Sequence, residues 1–270
     1  MDITSCKYVS KNINSIDIKL GVHGYLRADS EWKSDGMSIP YSKLYFIFSG
    51  NAKLVHNAKI YDLVPGHVYM IPYSTLHGFY CESSMEKLYF HFTATKPSGG
   101  DIFESIDRIM TLDLDIEKMR QIKRLYFDEN IYSCFNLKKE LYMLVSEFID
   151  KFDIKIEPDP LYSDTVSNAI SYIRSNLSQN ISVKKLADKL FVSESMLSKS
   201  FSRETGISIG KFIDREVMIE TQRRLLLSDE PIQNISEELG FCDQFYFSKK
   251  FKQFCGVPPI KYRKQNRDGM

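Results

Sequence analysis

The chain of 270 residues lacks any apolar run long enough to cross a bilayer. The longest, such as Leu44-Tyr45-Phe46-Ile47-Phe48, are of strand length, against the ~20 residues a membrane helix needs. Met1 to Gly21 shows no cationic start leading into an apolar stretch, so no signal peptide is visible, and the expectation is a cytoplasmic protein with no membrane partner. The five cysteines, Cys6, Cys81, Cys134, Cys242 and Cys255, are odd in number, widely spaced and without a CxxC pair. That excludes a disulfide framework and a zinc knuckle, and it fits a reducing compartment. No P-loop, GxSxG, HExxH or GxGxxG occurs in a context that would support it, and nothing activates a nucleophile. An enzyme is therefore not expected. Histidine is absent after His91, and net charge is almost absent, at +1.

That neutrality is an average over two unlike halves. Residues 1–160 hold 19 Lys and Arg against 22 Asp and Glu, a surplus of three acids, whereas residues 161–270 hold 17 against 13, a surplus of four bases. Much of the excess lies late, in Lys249, Lys250, Lys252, Lys261, Arg263, Lys264 and Arg267, opposed only by Asp268. A basic concentration of this kind implies a polyanion partner.

The length fits two domains. From Ile16 to about Phe92 the hydrophobic period is two. Short aromatic and β-branched segments, Lys43–Ser49, Lys53–His56, Lys59–Leu63, His67–Ile71 and Lys87–Thr93, are separated by turns at Ser49-Gly50-Asn51, Pro65-Gly66 and Pro72-Tyr73-Ser74. Closely spaced short strands predict a small antiparallel sandwich or barrel. After Lys96-Pro97-Ser98-Gly99-Gly100 the pattern turns helical near 116–128 and 137–152. There Leu137, Leu141, Leu144, Val145, Phe148, Ile149 and Phe152 form one stripe, which either covers the barrel or packs partly against a second subunit. Glu157-Pro158-Asp159-Pro160 breaks the helix and reads as a linker. The expected division is thus a sensing domain over 1–100, a helical connector and dimerisation region over 101–156, a linker over 157–163, and a DNA-binding domain over 164–270.

The last of these contains an internal repeat. Val183-Lys184-Lys185-Leu186-Ala187-Asp188-Lys189-Leu190 aligns with Ile232-Gln233-Asn234-Ile235-Ser236-Glu237-Glu238-Leu239 at an offset of 49, and Leu197-Ser198-Lys199-Ser200-Phe201 aligns with Phe247-Ser248-Lys249-Lys250-Phe251 at an offset of 50. Each copy reads as helix, tight turn, helix and glycine stop, over about 183–204 and 232–254, the pattern of helix-turn-helix DNA readers. Ser193 and Asp243 are candidate N-caps. Leu197, Phe201 and Glu204 in the first copy, and Phe247, Phe251 and Phe254 in the second, are expected to face inward. Ser195, Ser198 and Lys199, and Gln244, Phe245, Ser248 and Lys249, are expected to face out and read bases: Gln suits adenine, Lys suits guanine, and Phe245 suits a thymine methyl or packs on the helix pair. Ser193, Lys250, Lys252, Lys261 and Arg263 are candidate phosphate contacts.

The run Ile235-Ser236-Glu237-Glu238-Leu239-Gly240-Phe241, then Phe245-Tyr246-Phe247-Ser248-Lys249-Lys250-Phe251-Lys252, then Gly256-Val257-Pro258-Pro259-Ile260-Lys261-Tyr262-Arg263, closely resembles the C-terminal signature of AraC/XylS-family transcription regulators. Over about 165–265 the resemblance implies seven helices, two helix-turn-helix units joined by a long helix near Gly210–Leu227, and recognition helices in successive major-groove segments of double-stranded promoter DNA. Activation with RNA polymerase as a partner is implied more than repression. The chain departs from the pattern at Val217 and Thr221, where the linker helix commonly carries Arg and Ala, and at Phe191-Val192, where the first turn lacks glycine.

His23, His56, His67, His77 and His91 all precede residue 100. Pro65-Gly66-His67, Ile71-Pro72 and His77 resemble the second conserved box of cupin barrels, but residues 50–59 offer only His56 in place of a first-box His-x-His, so no metal or other cofactor is expected. Residues 15–95 instead resemble the cupin-like sensing domains of AraC-type regulators. The overall fold class is therefore α+β: a cupin-like antiparallel β-barrel with a helical connector, then an all-α domain of two helix-turn-helix units. The barrel is expected to hold a small effector, a sugar or metabolite, against His23, Trp32, Tyr45, Tyr73, His77, Phe79 and His91, and the chain to form a homodimer. The acidic surplus of this half disfavours a strongly anionic effector unless one local basic pocket overturns it. Two rivals stand beside this reading: a cupin metalloenzyme with a DNA-binding tail, and a regulator whose N-terminal domain only dimerises or binds a protein.

Overall fold

A computed structural model describes residues 17–96, 100–156 and 162–267. Cys6, Pro97-Ser98-Gly99, the linker prolines Pro158 and Pro160, and the side chain of Arg267 lie outside the described residues. The chain forms two compact units, one ending at residue 157 and the other beginning at 158.

The first unit is built on one antiparallel sheet of β1 (Asp17–Ala28), β2 (Lys33–Met37), β3 (Ser42–His56), β4 (Lys59–Leu63), β5 (His67–Ile71), β6 (His77–Thr95) and β7 (Met110–Asp113). Its order is β1-β6-β3-β5-β7, with β2 added to β6 and β4 to β3. The expected turn at Ser49-Gly50-Asn51 is absent, and β3 runs through it as one strand. Register shifts between Ile47 and Ser49 and between Gly50 and Ala52 mark a bulge, after which pairing with β6 resumes at Ala52 and Cys81. Gly50 sits at φ +91, and a Cβ there would lie 1.9 Å from the Ser84 carbonyl oxygen, so only glycine fits this crease. The bulge lets both long strands serve two parts of the sheet. The first half of β3 pairs with β5, the second half with β4, and both halves with β6. Strand β7, in the stretch expected to be helical connector, pairs with β5 and extends the sheet.

Alternation along β3 and β6 sorts side chains to two faces. Leu44, Phe46, Leu88, Phe90 and Phe92 belong to the apolar cluster that α1 (Ile116–Phe127) and α2 (Ile131–Lys151) complete with Met119, Ile122, Leu137, Leu141, Leu144, Val145 and Phe148. Ile149 and Phe152 pack against the same cluster. The helical stripe is thus consumed by the sheet rather than offered to a second subunit, because each such side chain gains roughly 1.5–3 kcal/mol when fully buried. Asp115 and Asn130 cap the two helices. Cys81, Cys134, Cys242 and Cys255 are free thiols, and among the described residues no helix is long and apolar enough to cross a membrane.

The second unit holds seven helices among the described residues: α3 (Asp164–Ser175), α4 (Val183–Lys189), α5 (Glu194–Thr205), α6 (Ile209–Leu227), α7 (Ile232–Glu238), α8 (Gln244–Cys255) and α9 (Pro259–Arg267). The repeat recurs in its caps. The Ser193 hydroxyl accepts from the Met196 amide at 3.2 Å, and the Asp243 carboxylate accepts from the Tyr246 amide at 2.7 Å. Gly206 and Gly256 end α5 and α8 in the left-handed conformation, at φ +77 and +78. The extra residue of the second turn is Cys242. Before it, Gly240 has φ +79, and a Cβ there would come within 2.2 Å of the Ser178 hydroxyl. The matching position in the first copy is Phe191, held at φ +55 and 95% exposed.

An L side chain in that conformation costs about 1–2 kcal/mol. Phe191→Gly is expected to raise the stability of this unit by roughly 0.5–1 kcal/mol, less than the strain because glycine loses more chain entropy. Gly240→Ala is expected to lower it by roughly 1–3 kcal/mol, through strain and the clash with Ser178. Urea unfolding of the full-length variants checks both signs, and equal midpoints for Phe191→Gly and wild type would remove the strain argument.

Candidate nucleic-acid interface

In both repeats the second helix buries one face and frees the other. Leu197 and Phe201 of α5, and Phe247 and Phe251 of α8, are fully buried. Phe201 meets the ring of Phe212 edge-on at 5.4 Å, Phe247 meets Phe241 at 5.0 Å, and Phe251 meets Tyr262 at 5.3 Å. With those residues fixed inward, the helical period turns Ser195 and Lys199, and Gln244, Phe245 and Lys249, into solvent, while Ser198 and Ser248 are half-buried beside them. Phe245 is 90% exposed, so it does not pack on the helix pair. Phe254 corrects the expectation for the inner face. It is exposed, because the buried stripe runs out of partners in the last turn before Gly256. Glu204 does turn inward, where its carboxylate accepts from the Ser163 amide at 2.8 Å and fixes the start of α3; this contact and the Arg203 guanidinium hold its carboxyl below the usual range.

The five phosphate candidates divide. Lys252 and Lys261 are exposed, and Ser193 is exposed with its hydroxyl oxygen occupied as a cap. Lys250 and Arg263 are drawn into the fold and are not free for phosphate. The Lys250 ammonium donates to Gln179 Oε1 and Asp214 Oδ1, both at 2.6 Å, and Arg263 donates to the Glu230 carbonyl at 2.6 Å. Buried or half-buried cations with fixed internal acceptors lose more by leaving them than an exposed phosphate contact returns.

The long helix α6 holds both α5 and α8. Its Phe212 touches Phe201, its Asp214 holds Lys250 of α8, and its Gln222 donates to the Tyr262 hydroxyl at 3.1 Å. Arg224 bonds Glu238 of α7 at 2.7 Å, and Glu216 pairs with Arg174 of α3 at 3.2 Å. Val217 and Thr221, the two departures from the family pattern, are completely buried, and the Thr221 hydroxyl donates to the Val217 carbonyl at 2.8 Å. The side chains at these positions serve packing, not surface contact.

In the first unit, five of the seven residues expected in an effector pocket, Trp32, Tyr45, His77, Phe79 and His91, are buried together on the inward face of the folded sheet. Trp32 stacks on Phe79 at 4.3 Å. His23 and Tyr73 are elsewhere: His23, paired with Phe90 on the helix-covered face, is exposed with Nδ1 3.2 Å from the Tyr126 hydroxyl, and Tyr73, in the turn after β5, packs against the helix-covered cluster. His56 bonds the Leu76 carbonyl at 2.8 Å and Asp107 at 3.0 Å, and His67 pairs with Asp113 at 2.6 Å. A groove of about 660 Å³ lies apart from these residues, lined in part by Lys96, Asp101, Arg108 and Lys155.

Two residues on the inward face escaped sequence reasoning, Lys43 and Lys87. Both are wholly buried. Burial brings Lys43 down to about 7, and burial together with the nearby Lys43 holds Lys87 far below a normal lysine. Burial and then Lys43 likewise keep His77 and His91 neutral. The available signal was parity, since Lys43 shares its face with Tyr45 and Ile47, and Lys87 with Tyr89 and His91.

Residues 186–265 match the family described as helix-turn-helix domain. Multiple antibiotic resistance protein MarA of Escherichia coli (strain K12) is 34% identical over 105 residues, which cover 39% of this chain and 83% of MarA. The Msm operon regulatory protein of Streptococcus mutans is 24% identical over 96% of both chains. The solved structure of ToxT from Vibrio cholerae shares the fold over 94% of this chain and 99% of its own, with 16% identity and a TM-score of 0.53. The signature over 235–263, the paired capped units and these relatives agree, and the chain belongs to the AraC/XylS family of DNA-binding transcription regulators.

Proposed function

We propose that the protein activates transcription by laying α5 and α8 in successive major-groove segments, about 34 Å apart along the duplex, under the control of an effector sensed in the first unit. The observation that carries this reading is the pair of outward faces, Ser195-Ser198-Lys199 and Gln244-Phe245-Ser248-Lys249, each opposite a buried stripe and each set by the same pair of caps. Lys199 and Lys249 reach guanine edges, Gln244 reaches adenine, and Phe245 meets a thymine methyl. Lys252, Lys261 and Ser193 hold phosphates and set the register. Activation and contact with RNA polymerase follow from the family resemblance alone.

The protein acts as a homodimer in this reading. Ile131, Tyr132 and Phe135 open α2 at 77, 76 and 73% exposure, an apolar patch that a second copy would cover.

Lys249→Ala is expected to weaken binding to a selected site by roughly 1–3 kcal/mol and to relax base preference there. Lys261→Ala should weaken binding to all sequences alike and flatten the salt slope. Affinities measured from 50 to 200 mM salt, on selected and scrambled duplexes, separate the two. Unchanged affinity removes Lys249 from the reading set, and altered base preference contradicts the phosphate role of Lys261. Phe135→Glu should halve the mass seen in sedimentation velocity at micromolar protein; an unchanged mass would rule out this face as the dimer contact.

A further inference from the structure

Four basic side chains, Lys43, His77, Lys87 and His91, share the interior of the folded sheet, and no acid among the described residues stands with them. Lys43 pairs across the ladder with His91, Tyr45 with Tyr89 and Ile47 with Lys87, so these side chains line one face of the β3–β6 pair. The Lys87 ammonium lies 3.7 Å from the centre of the Tyr45 ring, 4.3 Å from Trp32 and 5.2 Å from Tyr89. Among the described residues, Lys43 Nζ, Lys87 Nζ, the Tyr45 hydroxyl, His77 Nε2 and both ring nitrogens of His91 are buried without a hydrogen-bond partner. The described buried carboxylates, Asp101 and Glu140, are committed elsewhere, to the amides of Ala94 and Phe103 and to Lys118.

Buried polar groups are nearly always paired, and buried ammonium groups almost without exception need a counter-charge. Aromatic faces temper the charge of Lys87 but supply no acceptor. The missing partner is therefore an acceptor of hydrogen bonds that carries negative charge. A neutral sugar would leave the lysines uncompensated, and a cation would be repelled.

We infer that this interior binds the oxyanion head of a small organic acid, with Lys43 and Lys87 supplying charge, Tyr45, His77 and His91 supplying donors, and Trp32 packing on the carbon body. The inference rests on reading the first unit as a sensor, and it names the chemical class of the effector. The acidic surplus of the N-terminal half does not oppose it, because the field that counts is the local one. Binding has a protonic signature. Between about pH 7 and the ordinary lysine range near 10.5, the unfolded chain holds a proton that buried Lys43 has lost, so ligand-free stability rises with pH through that window. An oxyanion beside Lys43 restores its proton, so binding at pH 8 takes up protons.

The test is a thermal-shift comparison on the full chain, using benzoate, hexanoate and phenyl phosphate against the neutral amides benzamide and hexanamide at matched ionic strength. At least one acid is expected to raise Tm by about 3 °C or more at millimolar ligand, with no shift from its amide. Calorimetry of that acid at pH 8, in two buffers of different ionisation enthalpy, should show proton uptake. Lys43→Met and Lys87→Met should each abolish the response, without lowering the ligand-free Tm, because each removes a buried amine that has no hydrogen-bond partner. Should either variant fail to fold, the acid-against-amide comparison and the proton uptake on wild type still decide. Silence from all three acids, an equal shift from the amides, absence of proton uptake, or a response that survives both substitutions overturns the inference. A response to amides alone would sustain the sensor reading while sinking the anionic one, and the DNA-binding measurements stand apart from both.

Discussion

The second unit depends on one helix being buried along most of its length. Helix α6 places Ile209, Phe212, Ile213, Val217, Met218, Thr221, Leu225 and Leu226 in the interior, more than a single amphipathic stripe can account for, because both helix-turn-helix repeats lean on it. Once it is buried that way, its polar residues have few directions left. Asp214, Glu216, Gln222 and Arg224 become ties to α8, α3, α9 and α7. Helices α5 and α8 are therefore tied to α6 through Phe212 and Asp214, while α8 also rests its buried rings on Phe241 and Tyr262. Close packing around that shared helix couples the two repeats to each other.

A comparable economy governs the first unit. The pleat assigns alternate residues of β3 and β6 to opposite faces, and the two faces do different work. One is apolar and is sealed by α1 and α2. The other gathers lysine, histidine and tyrosine in a buried interior, where bulk water screens charge little. The strand residues that follow Lys43 and Lys87, Leu44 and Leu88, lie in the cluster that the helices cover, so the proposed ligand would act on strands that also carry that core.

Much of this was legible beforehand where local rules decide. Strands β4 and β5 coincide with the expected Lys59–Leu63 and His67–Ile71, because alternation and turn residues bound them on both sides. The caps Ser193 and Asp243, and the long helix, were equally plain. What could not be read were features set by distant partners. Gly50 looks like a turn until the backbone of Ser84 is known to pass against it. Lys250 looks like a phosphate ligand until Asp214 and Gln179, 36 and 71 residues away, claim it. Strand β7 is four residues long and owes its existence to β5. Lys43 and Lys87 sat in strands read for their apolar members, so their inward parity went unremarked.

The two repeats are not copies in every respect. The second has Gly240 in its turn and Cys242 inserted before the cap, while the first presents an exposed Phe191 on a strained backbone. One reading face is built on serines and a lysine, the other adds glutamine and a bare phenylalanine. If the two outward faces read bases as proposed, so unlike a pair could not be turned end for end and still fit the same duplex. Under the proposed binding mode, the DNA site for one chain would have a left and a right, and a chain seated on it would point in one direction. The polarity that the proposed binding mode would need is thus written into the protein itself, in the differences between its two repeats.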